Sequence, residues 1–497
     1  RIKIDSIHFT GRFSLAEKYY SEFIKDHATE LIADNYYNRE GIELGVKNLI
    51  IDRQNQGFLK AKINSIKTIY QGSKKEKAAI TISLEEGPLS LLSEVQFAGH
   101  SSFSDRHLLE VSGLNPHQPL KLNELDEAIS KIKDFYHRSG YLEMYLINER
   151  EDLIKYNEDN TLATIHFKIY EGPKIIVSSI LIEGNTLTKD YVILKELDFQ
   201  IGDTLTPQLI EESTSRLQRL GFFNSIDIKT LEEKTQISQR TVIVKVSDRD
   251  PGLFNLGFGA NNENEFTLRG YTGLAYRNIM GTGRGVSIRL EGNYNVTDFR
   301  YLERKITLGY LEPYLFDTRI RGRVSVTQSV FISNFKERLA EEVKQITYTA
   351  EQDLTSHIFL SYDIWSSAQL REFAIDTDNY KFSPYELVIV TTGPNVDIDF
   401  RDHPFNPSKG TFTRINAEYS SPDLGSSRTI QYLRAMGSFT HYKTVWKPGW
   451  VFANSMRGGY LRNLSTVGGV PYDQKGLVLG GQSTIRGFLP TESFPNT

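Results

Sequence analysis

Val95-Gln96-Phe97-Ala98-Gly99 is a short alternating strand that ends on a glycine, and the chain writes it three times. Ile7-His8-Phe9-Thr10-Gly11 precedes it and Ile180-Leu181-Ile182-Glu183-Gly184 follows, with the glycines 88 and then 85 positions apart. Self-similarity of this kind marks one supersecondary unit used repeatedly. Each unit later carries a glycine and an aromatic at the end of a helical pattern: Gly57-Phe58, Gly140-Tyr141 and Gly221-Phe222. The first two units close on Glu86-Gly87-Pro88 and Glu171-Gly172-Pro173, the third on Asp250-Pro251-Gly252.

The second unit shows the internal pattern. Leu122, Leu125, Ile129 and Ile132 recur at helical spacing, and Phe135 and Tyr136 extend the stripe to Gly140. The third repeats it with Leu209, Ile210, Leu217 and Leu220 before Gly221, then gives Ile226 and Ile228, and Val242, Val244 and Val246, at strand period. Each unit therefore reads strand, helix, helix, strand, strand. The apolar helix stripes must pack on one face of a small sheet. Such a sheet leaves an edge strand able to accept another strand through main-chain hydrogen bonds. A set of generic α+β modules with a structural role only is the plain alternative. The first unit is the weakest match, with a longer helical portion. The boundaries read as three modules at 1–90, 91–173 and 174–250, followed by a different domain at 251–497.

From Leu253 onward strand alternation takes over. Val286, Ile288 and Leu290 alternate with Ser287, Arg289 and Glu291, and Ile320, Val324 and Val326 with Arg321, Arg323 and Ser325. Ile358, Leu360, Tyr362 and Ile364 form one face, and Ile415, Ala417 and Tyr419 alternate with Arg414, Asn416 and Glu418. A soluble sandwich also alternates. Charge on the polar face, with Tyr271, Tyr276, Tyr310, Tyr314, Phe316 and Trp365 near strand ends, favours a transmembrane barrel with a wet lumen. Ser333 to Glu351 reads as a long strand pair or an exposed loop. Gly281-Thr282-Gly283-Arg284-Gly285 is rejected as a phosphate loop, because it lacks the Gly-Lys-Ser/Thr ending and precedes a strand.

Near the C-terminus stands Gly480-Gly481-Gln482-Ser483-Thr484-Ile485-Arg486-Gly487-Phe488, a lone cation between apolar residues in a glycine-rich turn. It resembles the lid-loop motif of the Omp85 superfamily. Asp399-Phe400-Arg401-Asp402-His403-Pro404-Phe405-Asn406-Pro407-Ser408-Lys409-Gly410 is similar to a hairpin of that family. Asn278-Ile279-Met280-Gly281-Thr282-Gly283 and Leu311-Glu312-Pro313-Tyr314-Leu315-Phe316-Asp317 resemble two of its turns. The three N-terminal units resemble its POTRA domains. Four motifs in family order, over nearly the whole chain, make this a resemblance to the outer-membrane assembly-factor branch.

The resemblance implies α+β POTRA repeats followed by an all-β antiparallel transmembrane barrel of about sixteen strands. It implies a lid loop, Gly480, Gly481, Ile485, Arg486, Gly487 and Phe488, folded back into the lumen. Arg486 would need acidic partners there, and Asp397 and Asp399 on one strand face are candidates. Those two acids simply lining a wet lumen or the hairpin base is the more ordinary reading. About 245 residues follow Pro251, enough for roughly ten or eleven strands. The closing strands are expected beyond Thr497, so the barrel reads as incomplete at its C-terminus. A start at Arg1 without a leader reads as a mature or trimmed N-terminus.

The implied function is assembly and insertion of outer-membrane proteins. The periplasmic POTRA modules would receive unfolded clients by β-augmentation, and the first barrel strand, with Leu253, Gly257 and Gly259, would form one side of a lateral gate. Its glycines are expected to weaken pairing. Expected partners are unfolded outer-membrane proteins, outer-membrane lipid, and accessory lipoproteins or an inner-membrane partner. No cofactor, metal or catalytic residue is expected, and no nucleic acid, since 58 basic and 62 acidic residues leave a formal net charge of -4. Cysteine is absent, which excludes disulfides and thiolate chemistry. A two-partner secretion transporter is the rival reading. A barrel hydrolase built on Asp397, Asp399, Asp402 and His403 is a weaker one, because no metalloprotease or nucleophile-elbow pattern accompanies them.

Overall fold

The computed structural model of the protein describes residues 2–72, 76–261, 266–296, 300–334, 337–375, 385–445, 449–466 and 475–477. Its internal contacts define two units: Arg1–Glu183 with Leu197–Arg216 and Asp227–Lys245, and Gly184–Glu196 with Leu217–Ile226 and Val246–Thr497.

The first module runs β1 (Lys3–Arg12), α1 (Glu17–Asp26), α2 (Glu30–Ala33), α3 (Arg39–Asn55), β2 (Lys62–Gln71) and β3 (Lys77–Glu85). The sheet order is β1-β3-β2, with β1 parallel and β2 antiparallel to β3. Strand β3 supplies the core because Ala78, Ile80, Ile82 and Leu84 alternate onto one buried face. Tyr20 and Ile24 of α1, and Ile42, Val46 and Leu49 of α3, cover that face. Asn38 starts α3, accepting the Gly41 amide at 2.8 Å, a cap that contributes about 1 kcal/mol.

The second module runs β4 (Leu91–Ala98), α4 (Asp105–Ser112), α5 (Leu122–Arg138), β5 (Tyr145–Leu146), β6 (Ile154–Tyr156) and β7 (Leu162–Tyr170). Strand β7 is central, parallel to β4 and antiparallel to β5 and β6. The stripe seen in the sequence is the buried face of α5, where Leu125, Ala128, Ile129, Ile132 and Tyr136 pack on Ile165, Phe167 and Ile169. Each large side chain so buried contributes about 1.5–3 kcal/mol.

The third module runs β8 (Ile176–Glu183), α6 (Asp190–Glu196), α7 (Pro207–Leu220), β9 (Phe223–Thr230) and β10 (Gln239–Asp248), with sheet order β8-β10-β9. All three modules thus place the last strand in the middle, parallel to the first.

The signature residues of the repeat now have physical roles. The strand-ending glycines Gly11, Gly99 and Gly184 have φ of +114°, +82° and +83°. A Cβ on them would stand 2.0–2.2 Å from the carbonyl oxygen of Leu84, Ile169 or Val246. The glutamate of each Glu-Gly-Pro closes the loop after that glycine. Glu171 accepts from the Ser102 amide at 3.1 Å, from the Ser101 and Ser102 hydroxyls at 3.0 Å, and from the Tyr136 hydroxyl at 2.9 Å. Glu86 accepts from the Ser14 amide at 2.7 Å and from the Tyr20 hydroxyl.

Within the first unit Arg240, almost fully buried, donates to Glu143 at 2.6 and 3.0 Å. It also donates to the Ile237 and Thr235 carbonyls, and the Lys234 amide meets the same glutamate at 2.7 Å. The Arg240 hydrogen bond, ahead of the cost of burial, holds the Glu143 carboxyl below the usual carboxylate range.

Among its described residues the second unit carries eleven antiparallel strands in sequential order. They are β11 (Gly252–Asn261), β12 (Thr267–Tyr276), β13 (Gly285–Asn295), β14 (Leu302–Glu312), β15 (Arg321–Asn334), β16 (Leu339–Asp353), β17 (Ile358–Ala374), β18 (Tyr385–Asp399), β19 (Gly410–Ser420), β20 (Tyr432–Thr444) and β21 (Val451–Asn463). Of the charged stretch Ser333 to Glu351, Ser333 and Asn334 end β15 and Leu339 to Glu351 belong to β16, its partner. One face collects Phe254, Leu256, Phe258, Leu274, Val286, Ile288, Leu290 and Leu308, all exposed apolar residues. The other carries Arg289, Glu291, Arg323, Glu351, Asp397, Arg414 and Glu418. The alternation on β17 has one interruption. Tyr362 pairs with Ala350 and Trp365 with Tyr348, so Ile364 is a bulge that returns Trp365 to the face of Tyr362. Among the described residues no helix is long and apolar enough to cross a membrane.

Candidate functional site

Two regions of the second unit concentrate the residues singled out in the sequence: the first strand with the turns beside it, and the β18–β19 hairpin.

Among the described residues, β11 is one edge strand of the sheet, with β21 at the other edge, and it pairs with β12 at ten positions, from Gly252↔Tyr276 to Asn261↔Thr267. Leu253, Gly257 and Gly259 share its polar face. Gly257 faces Tyr271 in register, and a Cβ there would sit 2.3–2.7 Å from the ring. The glycine therefore makes room for the phenol, and the pair remains in the ladder. The Arg289 guanidinium covers the same ring at 4.7 Å and bonds Glu291 at 2.7 Å. Gly259 faces open space.

The turns after β12 and β14 receive the loop and helix that precede them in the same unit. Asp248 accepts from the Leu187 amide and the Thr188 hydroxyl, each at 2.6 Å. Thr188 in turn accepts from Asn278 Nδ2 at 2.8 Å, while Asn278 Oδ1 accepts the Gly283 amide at 2.8 Å. The Lys189 amide donates to the Gly281 carbonyl at 3.0 Å. The second turn grips α6: the Tyr314 hydroxyl donates to Glu196 at 2.8 Å and to the Val192 carbonyl at 3.1 Å. Burial, then the Glu196 charge, pushes the Tyr314 phenol well above the ordinary tyrosine value. Lys195 pairs with Asp317 and stands 4.9 Å over the Tyr314 ring, and Arg319 Nε donates to the Lys195 carbonyl at 2.8 Å. The glycine-rich Gly281–Gly285 segment is thus a docking turn ahead of β13.

Asp397 and Asp399 lie on the polar face of β18, as their spacing predicts, and each has an arginine. Arg414 of β19 meets Asp397 through both nitrogens at 2.7 Å. Arg401 meets Asp399 at 2.8 and 2.6 Å, lies 4.5 Å over the Phe412 ring and donates to the Pro404 carbonyl at 2.9 Å. In the hairpin, Asp402 accepts the Ser408 hydroxyl and amide and the Lys409 amide, which holds its carboxyl down to about 2. His403 Nδ1 accepts the Phe405 and Asn406 amides at 3.2 and 3.0 Å. These acids and the histidine hold a turn. Among the described residues no group of three His, Asp or Glu side chains is placed to hold a metal. Gly480, Gly481, Ile485, Arg486, Gly487 and Phe488 lie outside the described residues.

Sequence reasoning missed the Asp248–Thr188–Asn278 relay and the Glu143–Arg240 pair. Their partners are scores of residues apart in the chain, and no periodicity marks them.

Comparison with known proteins bears on this arrangement. The description "Omp85 superfamily domain" matches residues 278–493, and the POTRA description, "Surface antigen variable number repeat", matches 91–172 and 175–249. The chain carries an Omp85 superfamily domain preceded by two matched POTRA repeats. Among similar proteins, outer membrane protein assembly factor BamA of Nitratidesulfovibrio vulgaris is 21% identical over 455 residues, covering 89% of this chain and 53% of the relative. BamA of Neorickettsia risticii is 22% identical over 489 residues, covering 94% and 61%. The chain thus spans little more than half the length of the curated relatives it matches. The crystal structure of BamA from Haemophilus ducreyi lacking POTRA domains 1–3 superposes with a TM-score of 0.60 at 20% identity, covering 80% of this chain and 76% of that one. The two chains share a fold over that region.

Proposed function

We propose that this chain is the working part of an outer-membrane protein assembly and insertion factor of the BamA type, and that it is not an enzyme. The setting is the bacterial outer membrane, with the N-terminal modules in the periplasm. Residues 1–90, 91–173 and 174–250 are three POTRA modules, and 251–497 belongs to the barrel. The modules offer edge strands to unfolded outer-membrane proteins, which add to them through main-chain hydrogen bonds. Strand β11 forms one side of a lateral gate, where a client strand pairs before release into lipid. The driving force is client folding and burial of apolar side chains, because every backbone group of a strand in lipid must find a partner.

The observation that carries this reading is the union of family match and topology: POTRA repeats lead directly into a large antiparallel sheet in which, among the described residues, β11 is an edge strand. The lid-loop residues, with Arg486 seeking acids on the lumen wall, belong to the same proposal. Asp397 and Asp399 remain candidate partners, each shared with an arginine. Accessory lipoproteins or an inner-membrane partner would bind the modules.

Conditional depletion followed by quantitative proteomics of the outer membrane tests the proposal. A broad fall in barrel proteins is expected for a general factor. A fall confined to a few clients would mean a specialised one. Loss of a single secreted protein, with the membrane proteome intact, would overturn the reading in favour of a two-partner transporter.

A further inference from the structure

Glu418 sits on the polar face of β19, in register with Arg434 of β20. Its carboxylate accepts the hydroxyl of Tyr432 at 3.2 Å, and Arg434 stands 3.7 Å from the same oxygen. Tyr432 is fully buried, within an apolar cluster formed with Leu370, Ile389 and Ile430. The other carboxylate oxygen accepts Lys475 Nζ at 3.3 Å. Lys475 is not a neighbour in the ladder. Strand β21 ends at Asn463, twelve positions before Lys475.

A second contact fixes the path. Gly459 lies on β21, paired with Met436 of β20. A Cβ on Gly459 would stand 2.8–2.9 Å from the Leu477 methyl carbons. A glycine inside a strand commonly marks the close approach of another segment. Here the approaching group is Leu477. Gly459 lies four residues below the end of β21, about 13 Å along the strand. The segment at Lys475–Leu477 therefore lies against the inner wall of β19–β21, well below the strand ends.

We infer that Glu418 and Gly459 form a two-point seat on the lumen wall for the segment at Lys475–Leu477: Glu418 binds Lys475, and Gly459 leaves the slot for Leu477. The inference rests on the barrel reading above. Glu418 is a positioning residue. Its carboxylate is held by Tyr432 and Arg434 on the wall side, which leaves one oxygen for the lysine. In a partly enclosed site a charge-assisted bond of this kind is stronger than an exposed ion pair.

The test uses the full-length protein in native outer membranes. The chain has no cysteine, so introduced thiols report alone. A thiol at Gly476→Cys is expected to react slowly with a bulky maleimide. Glu418→Lys should speed labelling about tenfold, and Glu418→Lys combined with Lys475→Glu should restore protection. Equal labelling in all three overturns the inference. A second measurement leaves Glu418 intact: Gly459→Cys with Leu477→Cys should form a disulfide. Absence of that disulfide, while the cross-strand pair Thr440→Cys and Ser455→Cys is readily bridged, also overturns it. Both readouts concern the folded barrel and not client assembly. Failure here with normal assembly would sink the seat and leave the proposed function standing.

Discussion

The Thr188 hydroxyl donates to Asp248 at 2.6 Å while accepting from Asn278 Nδ2 at 2.8 Å. One hydroxyl thereby joins the end of β10, the loop after β8 and the first turn of the barrel sheet. Thr188 and Asn278 are both buried, so each lost bond leaves a polar atom without water. Thr188→Val is expected to destabilise this joint by about 1–3 kcal/mol. Limited proteolysis of the 184–189 loop would read it, and unchanged cleavage would contradict the relay.

The Glu143–Arg240 pair makes a larger prediction. Arg240 is one of the largest fully buried side chains. Glu143→Ala leaves its charge without the bidentate carboxylate, a change that costs about 3–5 kcal/mol for a buried pair. Spin-label distances between the second and third modules should broaden in this variant. A sharp, unshifted distance would count against the clamp.

Acid should loosen the modules through their buried carboxylates. Burial pushes the Glu171 carboxyl up, but the Ser102 and Ser101 amides and the Tyr136 hydroxyl outweigh it, and the group stays below its ordinary value of 4.5. Glu143 is lowered by Arg240. A carboxyl lowered on folding contributes stability that is present above its unfolded pKa and is lost as the pH falls through the folded pKa. Stability should hold at neutral pH and fall below the ordinary carboxylate range. Glu171→Gln should flatten that acid limb, as followed by circular dichroism during titration.

Gly257 and Gly259 separate two kinds of glycine. Gly257→Val drives a branched side chain into the Tyr271 ring and should impair barrel folding, read as loss of the heat-modifiable band on a gel. Adding Tyr271→Ala should recover part of it. Gly259→Val meets open space and should fold normally. Equal behaviour of the two variants would show that pairing strength, and not room for Tyr271, sets the requirement.

Arg486→Ala tests the lid-loop proposal directly. Faster protease cleavage within 480–490 is expected if the guanidinium docks on lumen acids. An unchanged pattern would count against that placement.

The sequence by itself determined the order of domains and the period of each. Strand alternation and helical stripes are local, since side-chain direction follows the backbone repeat of the same few residues. Gly11, Gly99 and Gly184 were visible as repeat markers for the same reason, and Asp397 and Asp399 were placed on one face by spacing alone. Tertiary structure decided who meets whom. Spacing could not show that Arg414 and Arg401 engage those two acids, or that Gly257 makes room for Tyr271. Nor could it show that Ile364 is a bulge, which is defined by the partner strand. Glu143 with Arg240, Thr188 with Asn278 and Glu418 with Lys475 are contacts between residues far apart in the chain. Each depends on how separate elements pack, and chain order carries no record of that packing.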